Sequence, residues 1–199
     1  MAANEQLWAP WRLAYLVGEP ADADRDTFQG EFPPGADPEC FLCQAVADPR
    51  DRLRWIVHRT DHTLTVLNRY PYNNGHLLVA PRRHEGRLDG LTSEELLDLV
   101  QELARMLALL ERVMRPEGFN VGVNLGRAAG AGLPGHLHWH AVPRWGGDTN
   151  FMPTIAGVKV IPQALDSLWE ALTGELQRGQ RTDGEGQSGG QLSFPETGV

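Results

Sequence analysis

The chain has 199 residues, 41% of them hydrophobic and 22% charged, with a formal net charge of -8. This length suits one ordinary core with extensions, and the acidic balance argues against a nucleic-acid polymer as partner, since that binding rests on clustered Lys and Arg releasing counterions. No apolar run approaches the roughly 18 residues of a membrane span, and no basic segment followed by an apolar stretch opens the chain, so the expectation is a cytoplasmic protein with no membrane partner.

Residues 1–36 form an N-terminal extension. Its opening phrase LWAPWRLAYL is too rich in apolar and aromatic residues for a simple tail, so Trp8 and Trp11 are expected to pack on the domain or across a dimer, and the Asp-, Gly- and Pro-rich stretch after it reads as an irregular connection. A core domain over residues 37–178 begins with Cys40 and Cys43, the only two cysteines. Their spacing suits a metal pair or a redox pair better than a disulfide framework, and ECFLCQAVADP lacks the βαβ surroundings of a thioredoxin-like site.

Three strand-like runs follow, Trp55–Val57, Thr63–Leu67 and His76–Ala80, with Asn73-Asn74-Gly75 as the turn before the last, an antiparallel pattern. Pro81 ends the third run and leaves Arg82, Arg83 and His84 at its exit. From Ser93 to Met114 apolar residues recur at helical spacing, with Thr92 and Glu95 placed as a capping box and Pro116 beyond the end. Phe119 to Leu125 then alternates, with Phe119, Val121, Val123 and Leu125 on one face and Asn120, Gly122 and Asn124 on the other. The loop Gly126 to Gly135, GRAAGAGLPG, is either a plain hairpin connection or a set of small residues allowing close approach of phosphates; it carries no Walker pattern. Ile161 to Gln177 is predicted helical, with Pro162 near its start, and residues 179–199 have the composition of a disordered tail.

The stretch Gly135 to Asn150, GHLHWHAVPRWGGDTN, organises the rest. In a strand His136, His138 and His140 share one face and Leu137, Trp139 and Ala141 the other. Imidazoles are costly to bury unless hydrogen-bonded or coordinated. His136 and His140 start roughly 13 Å apart on a strand, too far for all three to bind one zinc at bonds of about 2.0 to 2.1 Å. The remainder are left for nucleophilic attack, proton transfer or contact with an anion.

His136-Leu-His138-Trp-His140-Ala-Val142 resembles the motif of the histidine triad (HIT) superfamily of nucleotide hydrolases and transferases, and the likeness continues through Asn68, His76, His84 and Asn124, over about residues 37–165. GFNVGVNLG and HAVPRWGGDTNF resemble its phosphorylase branch, which acts on diadenosine tetraphosphate. The resemblance implies an α+β fold, an antiparallel sheet with a long covering helix and a C-terminal helix, in a homodimer. It implies nucleotidyl transfer from a dinucleoside polyphosphate or nucleotide conjugate, with water or phosphate as acceptor. His138 would be the nucleophile, forming a nucleotidyl-histidine, and His140 would contact the transferred phosphate or leaving group. Asn68 would bind ribose, His76 would line the pocket and Asn124 would lie near the phosphate. Leu133 stands where the family has a Ser or Thr on phosphate, which shifts weight to backbone amides and Arg127, while the donor fork of Arg144 suits inorganic phosphate. Cys40, Cys43, His84 and His136 resemble the structural zinc set of some members, a closed tetrahedral site; no organic cofactor is implied. His58 and His62 match nothing and are expected at the surface. Two rivals remain: a hydrolase with metal-activated water, using two strand histidines with His76 or His84, and a non-catalytic nucleotide-binding protein.

Overall fold

The computed structural model describes residues 5–7, 30–148 and 158–185. Trp8, Trp11, the end of HAVPRWGGDTNF and residues 186–199 lie outside them.

In chain order the elements are β1 (Glu5–Leu7), α1 (Phe41–Ala47), α2 (Asp51–Arg54), β2 (Ile56–Arg59), β3 (Thr63–Leu67), β4 (Leu77–Pro81), α3 (Ser93–Met114), β5 (Gly118–Val123), β6 (Trp139–Arg144), β7 (Val158–Val160) and α4 (Leu165–Glu185), with single 3-10 turns at Leu88–Gly90 and Arg127–Ala129. β2, β3, β4, β6 and β5 form, in that order, an antiparallel five-stranded sheet, and β1 pairs in parallel with β7. The expected α+β architecture is therefore present, and part of the N-terminal extension docks as a strand.

Strand alternation divides the sheet into two sides. Leu67 on β3, Leu77 on β4 and Ala141 on β6 face Met106, Leu109 and Leu110 of α3 and Leu168 and Leu172 of α4, all buried. Val66, Leu78 and Ala80 point to the other side, against Cys40, Leu42 and Cys43 of the α1 region, with Phe32 and Leu133 packed on them. Each large aliphatic side chain so buried contributes about 1.5 to 3 kcal/mol. β3 and β4 are buried along their whole lengths because both of their faces are covered.

α3 begins and ends where its sequence signals place it. Thr92 accepts from Glu95 N–H while the Glu95 carboxylate accepts from Thr92 N–H, and Arg115 closes the helix in the left-handed region at φ 50°. Gly75, at φ 79°, turns the chain into β4 so tightly that a Cβ there would lie 2.6 Å from Met114 Sδ, which is why the Asn-Asn-Gly turn needs glycine.

Four expectations need correction. β2 runs from Ile56 to Arg59, because Trp55 is the left-handed cap of α2, at φ 52°. β5 ends at Val123, and Val121 and Leu125 are exposed because β5 is an edge strand that α3 covers only in part. His58 is no surface residue: its side chain is 17% exposed and Nδ1 lies 3.0 Å from the fully buried carboxylate of Glu102, which also accepts from Thr65 Oγ1; His62 is half-buried, its N–H donated to Asp98. The last helix starts at Leu165, beyond Pro162, and continues to Glu185 through residues given by composition to the tail. Once nucleated by its packed first turns, a helix gains a hydrogen bond for each residue it adds.

The cysteine-bearing α1 is held by charge. Arg59 of β2 donates to the carbonyls of Ala45, Val46 and Asp48 and to the Asp51 carboxylate, satisfying the open end of the helix. The fully buried Asp48 carboxylate accepts from Arg50 and Arg54, and these contacts, Arg50 foremost, hold it well below the usual carboxylate range. A carboxyl depressed in the folded state stabilises above its unfolded value and loses that contribution as pH falls through the folded one. Asp48→Ala should cost about 2 kcal/mol, less than a fully buried pair because both arginines are partly exposed. Thermal melts from about pH 7 to about pH 3 should show the cost shrinking below about pH 4.

Candidate functional site

His76, His84, His136, His138 and His140 gather on the sheet side opposite α3. His140 lies in β6, paired with Leu78 and Gly122. His136 and His138 precede the strand rather than belonging to it, since β6 starts at Trp139. The ladder stops because Pro81, at the end of β4, has no N–H to offer, and its carbonyl is taken instead by His136 Nε2 at 2.8 Å. The alternation nevertheless persists: the rings of His138 and His140 meet edge to face at 5.1 Å. His76, His136 and His138 are buried and His140 is half-buried.

Backbone groups fix the tautomers. His138 Nδ1 lies 2.9 Å from the His136 carbonyl, which only accepts, so Nδ1 carries the proton and Nε2 of a neutral ring carries the lone pair. His76 Nδ1 receives the Tyr72 N–H at 3.0 Å and the Asn68 amide at 3.2 Å, so its proton sits on Nε2, 2.9 Å from His140 Nδ1. His140 Nδ1 then accepts, which leaves an N–H on Nε2; Asn124 Nδ2, itself a donor, stands 3.5 Å away, so the pair presents two donors to one incoming acceptor. Burial pushes the His140 imidazole down to about 4, with His138 adding in the same direction; at neutral pH it is an uncharged donor.

Asn68, His76, His140 and Asn124 thus form one row across the sheet, with His140 in β6, Asn68 just after β3, His76 just before β4 and Asn124 just after β5. Asn68 is braced, its Oδ1 accepting from Tyr70 N–H at 2.9 Å. Sequence reasoning missed Tyr72, whose ring stacks on His140 at 5.4 Å and 22° and tilts over His76 at 4.6 Å. The available signal was an aromatic residue four positions before His76 in a proline-flanked turn. Arg127 is exposed in the glycine loop, and among the described residues no carboxylate pairs with it. Arg144 is not brought to the row. It sits four residues beyond His140, its guanidinium held by both oxygens of Asp148 and by Asn120 Oδ1.

Cys40, Cys43, His84 and His136 form a second cluster, with one ligand atom of each within 4.8 Å of all the others. Cys40 Sγ lies 3.3 Å from His136 Nδ1, and Cys43 Sγ lies 3.2 Å from His84 Nδ1 and 3.6 Å from His136 Nδ1. Tetrahedral bonds of about 2.3 Å to sulfur and about 2.0 Å to nitrogen put such atoms about 3.5 Å apart, so the cluster has the size of a metal site. The Pro81 carbonyl places the His136 proton on Nε2 and turns the Nδ1 lone pair toward the sulfurs, as a ligand requires. Burial pushes the Cys40 thiol up to about 12 and the His136 imidazole down to about 4. The four residues can hold a metal ion.

An antiparallel α+β sheet that lays a braced row of histidines beside a Cys2His2 cluster defines a class of small enzymes with imidazole chemistry. The HIT domain model matches residues 54–147. The AP-4-A phosphorylase of Mycobacterium tuberculosis is 39% identical over 174 residues, 87% of this chain and 85% of that protein. A histidine triad nucleotide-binding protein from Sulfolobus tokodaii superposes with a TM-score of 0.55 at 23% identity, covering 68% of this chain and 91% of that one. A zinc-bound histidine triad family protein from Mycobacterium smegmatis does so with a TM-score of 0.53 at 23% identity, covering 64% and 86%. The chain belongs to the HIT family.

The depressed His140 gives a testable sign. Between about pH 6.5 and about pH 4 the unfolded chain binds a proton at this position that the folded chain refuses, so stability falls as pH falls. In thermal melts across that window His140→Asn should show a shallower loss of Tm than the unsubstituted protein.

Proposed function

We propose that the chain is a nucleotidyl transferase or hydrolase that acts on dinucleoside polyphosphates, such as diadenosine tetraphosphate, through a nucleotidyl-histidine on His138. One observation carries the reading: His138 donates Nδ1–H to the His136 carbonyl, so its Nε2 lone pair is available for attack. The likeness to AP-4-A phosphorylase over most of both chains supports the substrate class.

In this reading His138 Nε2 forms a bond to the phosphorus of the bound nucleotide as the bridging P–O bond breaks, and the leaving polyphosphate takes the electron pair. His140 presents its Nε2–H to the oxygen on which charge develops. His76 holds that tautomer, Asn68 offers its remaining amide valences to ribose, and Asn124 and the loop amides face the phosphates. Arg127 is a cation of that loop with no carboxylate partner among the described residues, whereas Arg144 binds inorganic phosphate only by exchanging Asp148 for it. His138→Ala should lower turnover by at least about 10³-fold and abolish acid-labile nucleotide labelling of the protein; labelling that persists would defeat the assignment. Product analysis decides the acceptor: ADP and ATP in phosphate buffer mean phosphate, and AMP and ATP whatever the phosphate concentration mean water.

Zinc is the proposed occupant of Cys40, Cys43, His84 and His136, because two thiolates and two imidazoles at these separations suit it. It would supply stability rather than chemistry, as four protein ligands leave no open position, which also disfavours the metal-activated water rival. Protein purified without added metal should hold about one zinc per chain, and its removal should lower Tm; an empty protein of unchanged Tm would contradict this. The remaining assignments are a cytoplasmic location, where cysteines stay reduced for metal binding, and a homodimer paired at β5, the edge strand that leaves Val121 44% exposed. The core domain assignment of residues 37–178 also stands as a proposal, extended by the longer α4.

A further inference from the structure

One cleft lies beyond the row of catalytic side chains. It has a volume of about 650 Å³ and is lined by Gly86, Arg87, Leu88, Asp89, Leu125, Gly126 and Pro134. It starts where the row ends, as Leu125 and Gly126 directly follow Asn124, whose amide approaches His140. Its other wall is tied to the triad, because Leu137 N–H donates to the Glu85 carbonyl at 2.7 Å. Gly86 packs so closely on the glycine loop that a Cβ would fall 2.7 Å from the Pro134 carbonyl.

We infer that this cleft is the subsite for the distal nucleoside of a dinucleoside polyphosphate, the half that leaves when His138 is nucleotidylated. The inference rests on the substrate reading given above. Asn68 and Asn124 stand at opposite ends of a row crossing four strands, roughly 14 Å at about 4.8 Å per strand. With the transferred nucleoside at Asn68 and phosphorus over the histidines, the leaving half extends past Asn124, along Gly126 and Arg127. The charge of the cleft fits a nucleoside rather than another phosphate: Arg87 is neutralised by Asp89, in an ion pair at 2.5 Å. Its floor is apolar, with Leu88 40% and Leu125 48% exposed, large aliphatic surfaces on which a purine face packs. The wall is pre-formed. Arg83 pairs with Glu95 and donates to the Gly90 carbonyl at 2.7 Å, while Arg87 N–H donates to Glu85, so residues 83–90 are braced before any ligand arrives.

The test separates the distal nucleoside from the phosphates. In His138→Asn protein, where binding is read without turnover, titration calorimetry compares diadenosine tetraphosphate with adenosine tetraphosphate, which keeps the phosphates and lacks the second nucleoside. The dinucleotide should bind at least about fivefold more tightly, and Leu88→Ser with Leu125→Ser should reduce that ratio to within about twofold. Both leucines are exposed, so the fold tolerates the change, and a melt of the doubly substituted protein checks it. Equal affinities before the leucines are changed, or a preference that survives their loss, overturns the inference while leaving the substrate class standing. Binding of neither nucleotide overturns the substrate class, and the inference with it.

Discussion

The Pro81 carbonyl is the contact on which the site's geometry depends. It ends β4, and because proline lacks an N–H the ladder with β6 cannot pass it. The carbonyl accepts from His136 Nε2, which aims Nδ1 at Cys40 and Cys43 and joins α1, β4 and the start of β6 at one imidazole. The His136 carbonyl in turn accepts from His138 Nδ1, so the orientation of the ring beside it follows from the same anchored residue. A buried imidazole with both nitrogens engaged is well determined, whereas one with a nitrogen left over would be costly.

Strand parity keeps two tasks apart. The side facing α3 and α4 is mostly aliphatic and supplies stability, with Glu102, His58, Thr63 and Thr65 among its polar exceptions. The opposite side carries the imidazoles and thiols, and its two clusters use different solutions to the same desolvation. The Cys2His2 group is suited to compensation by a cation. The His76–His140 row compensates itself through a directed chain of N–H donors that begins at the Tyr72 amide. Neutral rings arranged in this way need no counter-charge, and the low basicity of His140 follows from that burial.

Much of this was legible in the chain. α3 and β3 were readable to the residue because a capping box, a proline stop and an apolar run each leave a local signature. The full Cys40, Cys43, His84, His136 set and the Asn68, His76, Asn124 set were legible only through the likeness to the HIT superfamily, since beyond the cysteine pair their spacings along the chain carry no local mark. What escaped was long-range. The burial of His58 depends on Glu102, 44 residues away, and the detention of Arg144 depends on Asp148 and Asn120. The stacking of Tyr72 depends on a turn that folds it back over β6. The limits of α4 were misread because Pro162 looked like its first turn and glycine-rich composition looked like its end.

The two edges of the sheet are not equivalent. On the β2 side Trp169 of α4 donates its indole N–H to the Ile56 carbonyl at 2.7 Å, and Arg59 is committed to the carbonyls of α1. On that edge the Ile56 acceptor is taken by a side chain, whereas among the described residues no strand covers the outer edge of β5. A sheet with two open edges is a template for indefinite addition of strands, while a sheet with one can pair only once, about a two-fold axis. The tryptophan of the last helix therefore works as a terminator, closing the sheet at Ile56 to the addition of a further strand.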